Sequence, residues 1–202
     1  MSYSIAIPAA PILRVSFDPG SPAKGFHTTL SNTDRTMVPT ADPGYVLSTV
    51  GRFTGKAYGE IVCDQVAISV SGPKMGIGPL YVPPNDFWIG YPWWLQTNEY
   101  GAIAVGTGAV FLGGGAFSDG DVLGIAVDLD ALKLWFSHNN VWITGNPAAG
   151  TTPIGNILSG CYFMGAESST IGGSPIGRCT VRGRASEMTG TIPSGFTAWE
   201  GF

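Results

Sequence analysis

The segment from Gly120 to Trp142, GDVLGIAVDLDALKLWFSHNNVW, constrains the fold more than any other part of the chain. Leu123, Ile125, Val127 and Leu129 alternate with Val122, Gly124, Ala126 and Asp128, a period of two that belongs to a strand and not to a helix. Asp130, Ala131 and Leu132 interrupt the run, Lys133 to Ser137 resumes it, His138-Asn139-Asn140 turns the chain again, and Val141-Trp142 follows. Two tight turns between three short extended runs specify antiparallel hairpins. The stretch carries no reactive constellation and reads as scaffold.

The rest of the chain repeats this punctuation. Thirty Gly and fifteen Pro fall between short apolar runs, which disfavours helices and suits an all-β domain. Candidate strands are Ile12 to Phe17, Thr28 to Leu30, Arg35 to Val38, Tyr45 to Val50, Ala57 to Cys63, Gln65 to Val70 and Lys74 to Gly78. Phe87 to Gly90 and Ala102 to Val105 read as strands flanking an aromatic loop, Tyr91 to Tyr100, and Cys161 to Ala166 and Arg178 to Arg184 close the series. No repeat or linker divides the 202 residues, so the expectation is one β-sandwich of two packed antiparallel sheets.

Charge is sparse: 12% of residues are charged, against about 25% in an ordinary domain. Such a surface is kept soluble by Ser, Thr, Asn and Gly, or is covered by neighbouring subunits. A net charge of −4, with Arg178, Arg182 and Arg184 as the one basic cluster, argues against nucleic acid as a partner. The weakly polar stretch Gly101 to Phe117 is too short and glycine-rich to span a bilayer as a helix, and the N-terminus lacks a signal-peptide pattern, so no membrane insertion is expected. Cys63, Cys161 and Cys179 have no short spacing; Cys63 and Cys161 sit in apolar contexts and read as buried free thiols in a cytosolic folding compartment. With only His27 and His138 to add nitrogen ligands, no metal or other cofactor is expected.

Several ordered blocks, Gly55-Lys56-Ala57-Tyr58-Gly59-Glu60-Ile61, Met75-Gly76-Ile77-Gly78 and Pro193 to Trp199 among them, resemble the SPRY domain family. Gly55-Lys56-Ala57-Tyr58-Gly59-Glu60-Ile61 resembles its GKxYxEV strand, and Met75-Gly76-Ile77-Gly78 its VGIG strand. The Asp121 to Gly124, Asp128 to Asp130 and Lys133 to Ser137 blocks with the Asn139 to Trp142 turn resemble its hairpins; Thr29 to Asn32 and Pro193 to Trp199 resemble its early strand and its closing PxGFxAW segment. The likeness runs from about Phe26 to Trp199, dividing the chain into residues 1–25, an N-terminal extension or docking arm, and residues 26–202, the SPRY-like domain. It implies a bent sandwich that binds protein or peptide through loops at one end, without catalysis. The LDLD, LWFS and NPAAG segments are similar to SPRY proteins of bacteriophages and their hosts. They imply a structural or attachment component of a virion (tail, fibre or capsid-associated), made in the host cytoplasm and partnered by virion subunits, its own copies, or a host-surface protein or glycan. Two positions depart from the family: Leu132 and Asn140 stand where glycine is usual. The Leu132 turn must therefore avoid positive φ or accept strain.

The residues that invite a binding role are in Phe87-Trp88-Ile89-Gly90-Tyr91-Pro92-Trp93-Trp94-Leu95. Three of the six tryptophans cluster here, and turns do not require tryptophan. Trp93 and Trp94 are candidate anchors for a protein or glycan, with Tyr91, Asn98 and Tyr100 as hydrogen-bonding partners; the alternative is that the tryptophans close the core. Asp128 and Asp130 share a strand face but lack the further oxygens calcium needs, so Asp130 is expected to accept turn N–H groups. Trp135 and Phe136 must face opposite ways, one into the core and the other outward or beneath the N-terminal segment. No GxSxG or P-loop pattern is present, and Gly113-Gly114-Gly115 precedes no Lys-Ser/Thr. Spacing alone leaves open a carboxylate pair drawn from Glu60, Asp64, Glu99, Asp119 and Asp121, although no motif favours one. No catalytic residues are assigned.

Overall fold

A computed structural model gives the structure of residues 15–18, 28–40, 44–66, 73–79, 93–96, 102–105, 108–111, 115–171 and 174–200. In chain order the strands are β1 (Thr28–Ser31), β2 (Thr36–Pro39), β3 (Gly44–Arg52), β4 (Lys56–Gln65), β5 (Lys74–Pro79), β6 (Trp93–Gln96), β7 (Ala102–Val105) and β8 (Gly108–Phe111). They continue as β9 (Val122–Asp128), β10 (Lys133–His138), β11 (Val141–Trp142), β12 (Gly155–Asn156), β13 (Tyr162–Ile171), β14 (Ser174–Ile176), β15 (Arg178–Arg182) and β16 (Thr197–Ala198).

The strands form two antiparallel sheets. One runs β1-β2-β15-β4-β9-β10-β11, with β12 paired to β10 and the short β16 lying parallel to the start of β4. The other runs β14-β13-β5-β6-β7-β8, with β3 on the far side of β13. Alternation on each strand decides what lies between them. Ala57, Ile61 and Cys63 of β4, Leu123, Ile125 and Val127 of β9, and Leu134 and Phe136 of β10 meet Met75 and Ile77 of β5 and Met164 and Ala166 of β13 in one buried core. The expected all-β sandwich is the observed one.

The outward positions of the first sheet are also covered. Tyr58, Ala126 and Trp135 are buried there beneath the C-terminal segment, which contributes Phe196 with Met188 and Ile192. Phe136 is therefore the core aromatic of its pair. Trp135 packs edge-on against Phe196, 6.3 Å between ring centres, and donates its indole N–H to Thr151 O at 2.9 Å. Of the two placements expected for the second aromatic, the outer side is the one observed, and the segment that covers it is C-terminal and not N-terminal. The reason is the β16–β4 pairing, which draws the end of the chain across this sheet.

The expected hairpins of Gly120 to Trp142 form, with Lys133 opposite Asp128 and His138 opposite Leu123. Leu132 accepts the left-handed conformation, φ +57°, while packing half-buried against the core, so apolar contact offsets the strain. Asn139 and Asn140, at φ +48° and +66°, take the two central positions of the next turn, which asparagine tolerates.

Other expectations shift. The aromatic segment read as a loop contains β6, because Trp93–Gln96 pairs with β5 on one side and β7 on the other. Val15 and Phe17, assigned by sequence to the N-terminal extension, are fully buried in the core, and Phe17 bridges to Ser48. Cys161 is exposed, whereas Cys63 and Cys179 are buried. The candidate strand at Phe87 to Gly90 lies outside the described residues, as do residues 12–14 and 67–70 of two others. Among the described residues no helix is long and apolar enough to cross a membrane.

Candidate functional site

The connections at one end of the sandwich gather around the β3–β4 loop. Arg52, the last residue of β3, pairs with Tyr162 at the start of β13, and Tyr162 pairs in turn with Pro79 at the end of β5. Lys56, the first residue of β4, pairs with Asp128 at the end of β9. The loop Phe53-Thr54-Gly55 therefore emerges beside the Leu158–Cys161 connection and the β9–β10 turn. A pocket of about 280 Å³ lies here, lined by Gly51, Arg52, Phe53, Thr54 and Gly55.

The loop is held at both ends. Gly55 N–H donates to Asp130 Oδ1 at 3.0 Å, and Gly55 O accepts from Leu129 N–H at 2.9 Å. At the other end Arg52 is nearly buried, and its Nη2 donates to Thr197 Oγ1 at 3.3 Å. That hydroxyl donates to Lys56 O at 3.2 Å, so β16 clamps both flanks. Burial holds the Arg52 guanidinium below its ordinary value. A Cβ at Gly51 would lie 2.5 Å from the Phe163 ring and 2.7 Å from Cys161 Sγ, so any larger residue there has to displace both side chains. Between these anchors the Phe53 side chain is 69% exposed; Leu158, in the adjacent connection, is 55% exposed. Two large apolar side chains stand open on a braced rim.

The acidic groups are engaged in building the fold. Glu60, fully buried on the outer face of β4, accepts from Gly190 N–H at 2.7 Å, Thr189 N–H at 3.0 Å and the Tyr58 hydroxyl at 3.1 Å. Burial, with the Glu60 charge and hydrogen bond, drives the Tyr58 phenol far above its ordinary value. Asp128 accepts from Ala131 N–H at 2.9 Å and pairs with Lys56 at 3.3 Å, while Lys56 lies 5.6 Å from the Phe196 ring centre. The local turn N–H expected to go to Asp130 goes instead to Asp128, and Asp130 accepts Gly55 N–H of another loop at 3.0 Å. Asp121 accepts from Ser118 N–H and Asn139 Nδ2, each at 2.7 Å, and meets His138 Nε2 at 2.8 Å; Phe117 stacks on that imidazole at 4.0 Å. Arg184 pairs with Glu200 at 2.7 Å and Arg182 lies 3.7 Å from Glu60, so two members of the basic cluster face carboxylates. No group of three or more His, Cys, Asp or Glu side chains among the described residues is placed to hold a metal ion.

Of the residues singled out for binding, Trp93 and Trp94 open β6, with Trp93 opposite Ile77 and Val105 and Trp94 opposite Gly76 and Ala104. Tyr91, Asn98 and Tyr100 lie outside the described residues. Since Ile77 is two residues from Pro79, β6 begins at the same end of the sandwich as Phe53. Sequence reasoning passed over Phe53 itself. Its signal is a phenylalanine in a Gly-Arg-Phe-Thr-Gly connection too short to bury it.

No protein-family model matches the chain, and no curated protein matches it. Solved structures do. The SPRY domain of human HERC1 superposes with a TM-score of 0.62 at 16% identity, over 83% of this chain and 97% of that one. The TRIM65 PSpry domain gives 0.59 at 15% identity, over 89% and 98% respectively. A human SPRY domain gives 0.57 at 14% identity, over 77% and 94%. The sandwich is SPRY-like. The SPRY-like architecture holds over most of the chain at identities that speak for the fold alone.

Proposed function

We propose that the chain is a non-catalytic protein-binding module that presents the β3–β4 end of a SPRY-like sandwich to its partner. The observation that carries this reading is Phe53, exposed at the lip of a pocket on a loop clamped from both sides. A large apolar side chain on a pre-ordered loop loses little entropy on docking and makes an interface anchor. Binding is favoured over acid–base chemistry because Glu60, Asp121, Asp128 and Asp130 are each engaged in hydrogen bonds that brace loops or strands.

The test uses peptides selected from a random display library on the full-length chain. Phe53→Ser should weaken the selected peptides at least tenfold while leaving the melting temperature unchanged. Equal affinity for both proteins would remove Phe53 from the interface. Trp93→Ala with Trp94→Ala, tested on the same peptides, asks whether the Tyr91 to Tyr100 segment contributes from the same end, with a glycan array as the parallel screen.

The sparse charge, 12% of residues, favours a second reading in which the partner is a neighbouring subunit of a phage-like particle and the chain is a virion component. Mass spectrometry of the assembled particle from the source tests it; absence of the chain from every particle fraction would reject it.

A further inference from the structure

Cys63 on β4 and Cys179 on β15 are directly opposite each other in the register of the first sheet. Both side chains are fully buried, and both belong to the core between the sheets, so they project from the same face. The backbone hydrogen bonds show which kind of pair they form. Cys63 N–H donates to Asp121 O at 2.8 Å and Cys63 O accepts from Gly120 N–H at 2.7 Å, so both polar groups of Cys63 point away from β15. Val181, two residues along β15 and therefore oriented like Cys179, donates its N–H to Arg35 O at 2.9 Å, away from β4. The two cysteines thus form a non-hydrogen-bonded antiparallel pair. In such pairs the Cα atoms lie about 4.5 Å apart, within the range a disulfide spans. The facing Cys63 thiol, burial and the nearby Asp64 charge hold the Cys179 thiol well above its ordinary value.

We propose that Cys63 and Cys179 are a latent cross-strand disulfide that closes when the chain folds in the presence of a small-molecule disulfide oxidant. The balance is simple thiol–disulfide exchange. One protein thiolate attacks the oxidant, releasing one small thiol and leaving a mixed disulfide. The second protein sulfur then displaces the other half, forming the Cys63–Cys179 bond; the oxidant's S–S bond is broken and its two sulfurs leave as thiols carrying the two protons. The folded, reduced pair is shielded, because both thiols are buried and the Cys179 thiol is held protonated. The compartment in which the chain folds therefore sets its redox state: two thiols in a reducing cytosol, a staple elsewhere. Closing a loop of this length in the unfolded chain stabilises the fold.

The full-length chain, refolded from urea in glutathione buffers of opposite redox poise, tests this. In the oxidising buffer the mass should fall by two hydrogens. Trypsin should then release residues 57–74 joined to 179–182, with Cys161 still free in its own peptide. The melting temperature should rise by roughly 5–15 °C over the reduced protein. Cys161→Ser should preserve the cross-link, and Cys63→Ser should abolish it. A folded oxidised sample with three free thiols, a link through Cys161, or failure to fold under oxidising conditions would each overturn the proposal.

Discussion

Glu60 is the residue whose replacement tests most sharply how the C-terminal segment is held to the sandwich. It sits on the outward side of β4 with no solvent exposure, and four donors converge on it: Gly190 N–H, Thr189 N–H, the Thr189 hydroxyl and the Tyr58 hydroxyl. In Glu60→Ala the two backbone donors cannot be removed to match, so the change leaves them without an acceptor. Stranding a buried donor costs about 1–3 kcal/mol, and this applies to Gly190 and Tyr58; Thr189, on an exposed residue, recruits water and adds little. The Arg182 contact at 3.7 Å is partly exposed and contributes at most about 1 kcal/mol. The expected loss is therefore about 2–7 kcal/mol. That is a large part of the 5–15 kcal/mol a domain typically has, and lowers the melting temperature by roughly 4–28 °C. Glu60→Gln keeps the volume but turns an NH₂ toward donors, for an expected loss of about 2–3 kcal/mol. Urea unfolding followed by tryptophan fluorescence measures both, and amide exchange at Thr189 and Gly190 should accelerate well before global unfolding. If Glu60→Gln is within 0.5 kcal/mol of the parent, on the order of a surface substitution, then Phe196, Met188 and Ile192 hold the segment alone and the reasoning fails.

Gly124→Ala should cost about 1–3 kcal/mol in urea unfolding, since its Cβ would sit on Ser137 Oγ and 2.7 Å from the Tyr58 hydroxyl; a neutral result would mean that this face is loosely packed. Burial alone would raise the Asp121 carboxyl, but its bonds from Asn139, Ser118 and His138 outweigh that and hold it below 3.8. Its stabilising contribution is therefore present above pH 3.8 and lost as pH falls through the lower folded value, so melts of the parent and Asp121→Asn should converge in acid and separate above it. Leu132→Gly relieves about 1–2 kcal/mol of left-handed strain but gives up half-buried packing of about 1–1.5 kcal/mol and adds about 0.5–1 kcal/mol of chain entropy. The expected change runs from a loss of about 1.5 to a gain of about 0.5 kcal/mol, and a larger gain would show that the Leu132 side chain does not pack.

What the sequence made legible follows from how far each constraint acts along the chain. The β9–β10–β11 hairpins were readable because alternation, turn residues and pairing all fall within 23 consecutive positions, Gly120 to Trp142. Even the strain at Leu132 could be anticipated there. The β6 strand was missed because four residues, Trp93–Gln96, are too few to show a period, and their extended form is set by β5 and β7 on either side. Glu60 reads in sequence as one acid on an apolar strand; the amides that give it a reason to be buried are 129 and 130 residues away. The Cys63–Cys179 pair is hidden in the same way, since register between distant strands is a property of the assembled sheet.

Function was less legible than fold for a different physical reason. Burial imposes a period on a sequence, because every second residue of a strand must be apolar, and that period survives wide divergence: the solved SPRY domains share only 14–16% of their residues with this chain. Contact with a partner imposes no period. It needs a few side chains on connections whose ends the scaffold holds, and these can change without disturbing the alternation beneath them. Phe53 illustrates this. Its loop is braced by Leu129, Asp130 and Thr197, residues drawn from two other places in the chain, so nothing local distinguishes it from an ordinary turn. The Tyr91 to Tyr100 segment drew attention through composition alone, and part of that composition belongs to a strand inside a sheet. Under the proposed binding role, the surface is best searched for by asking which large apolar side chains remain exposed after the alternating positions have been assigned to the core.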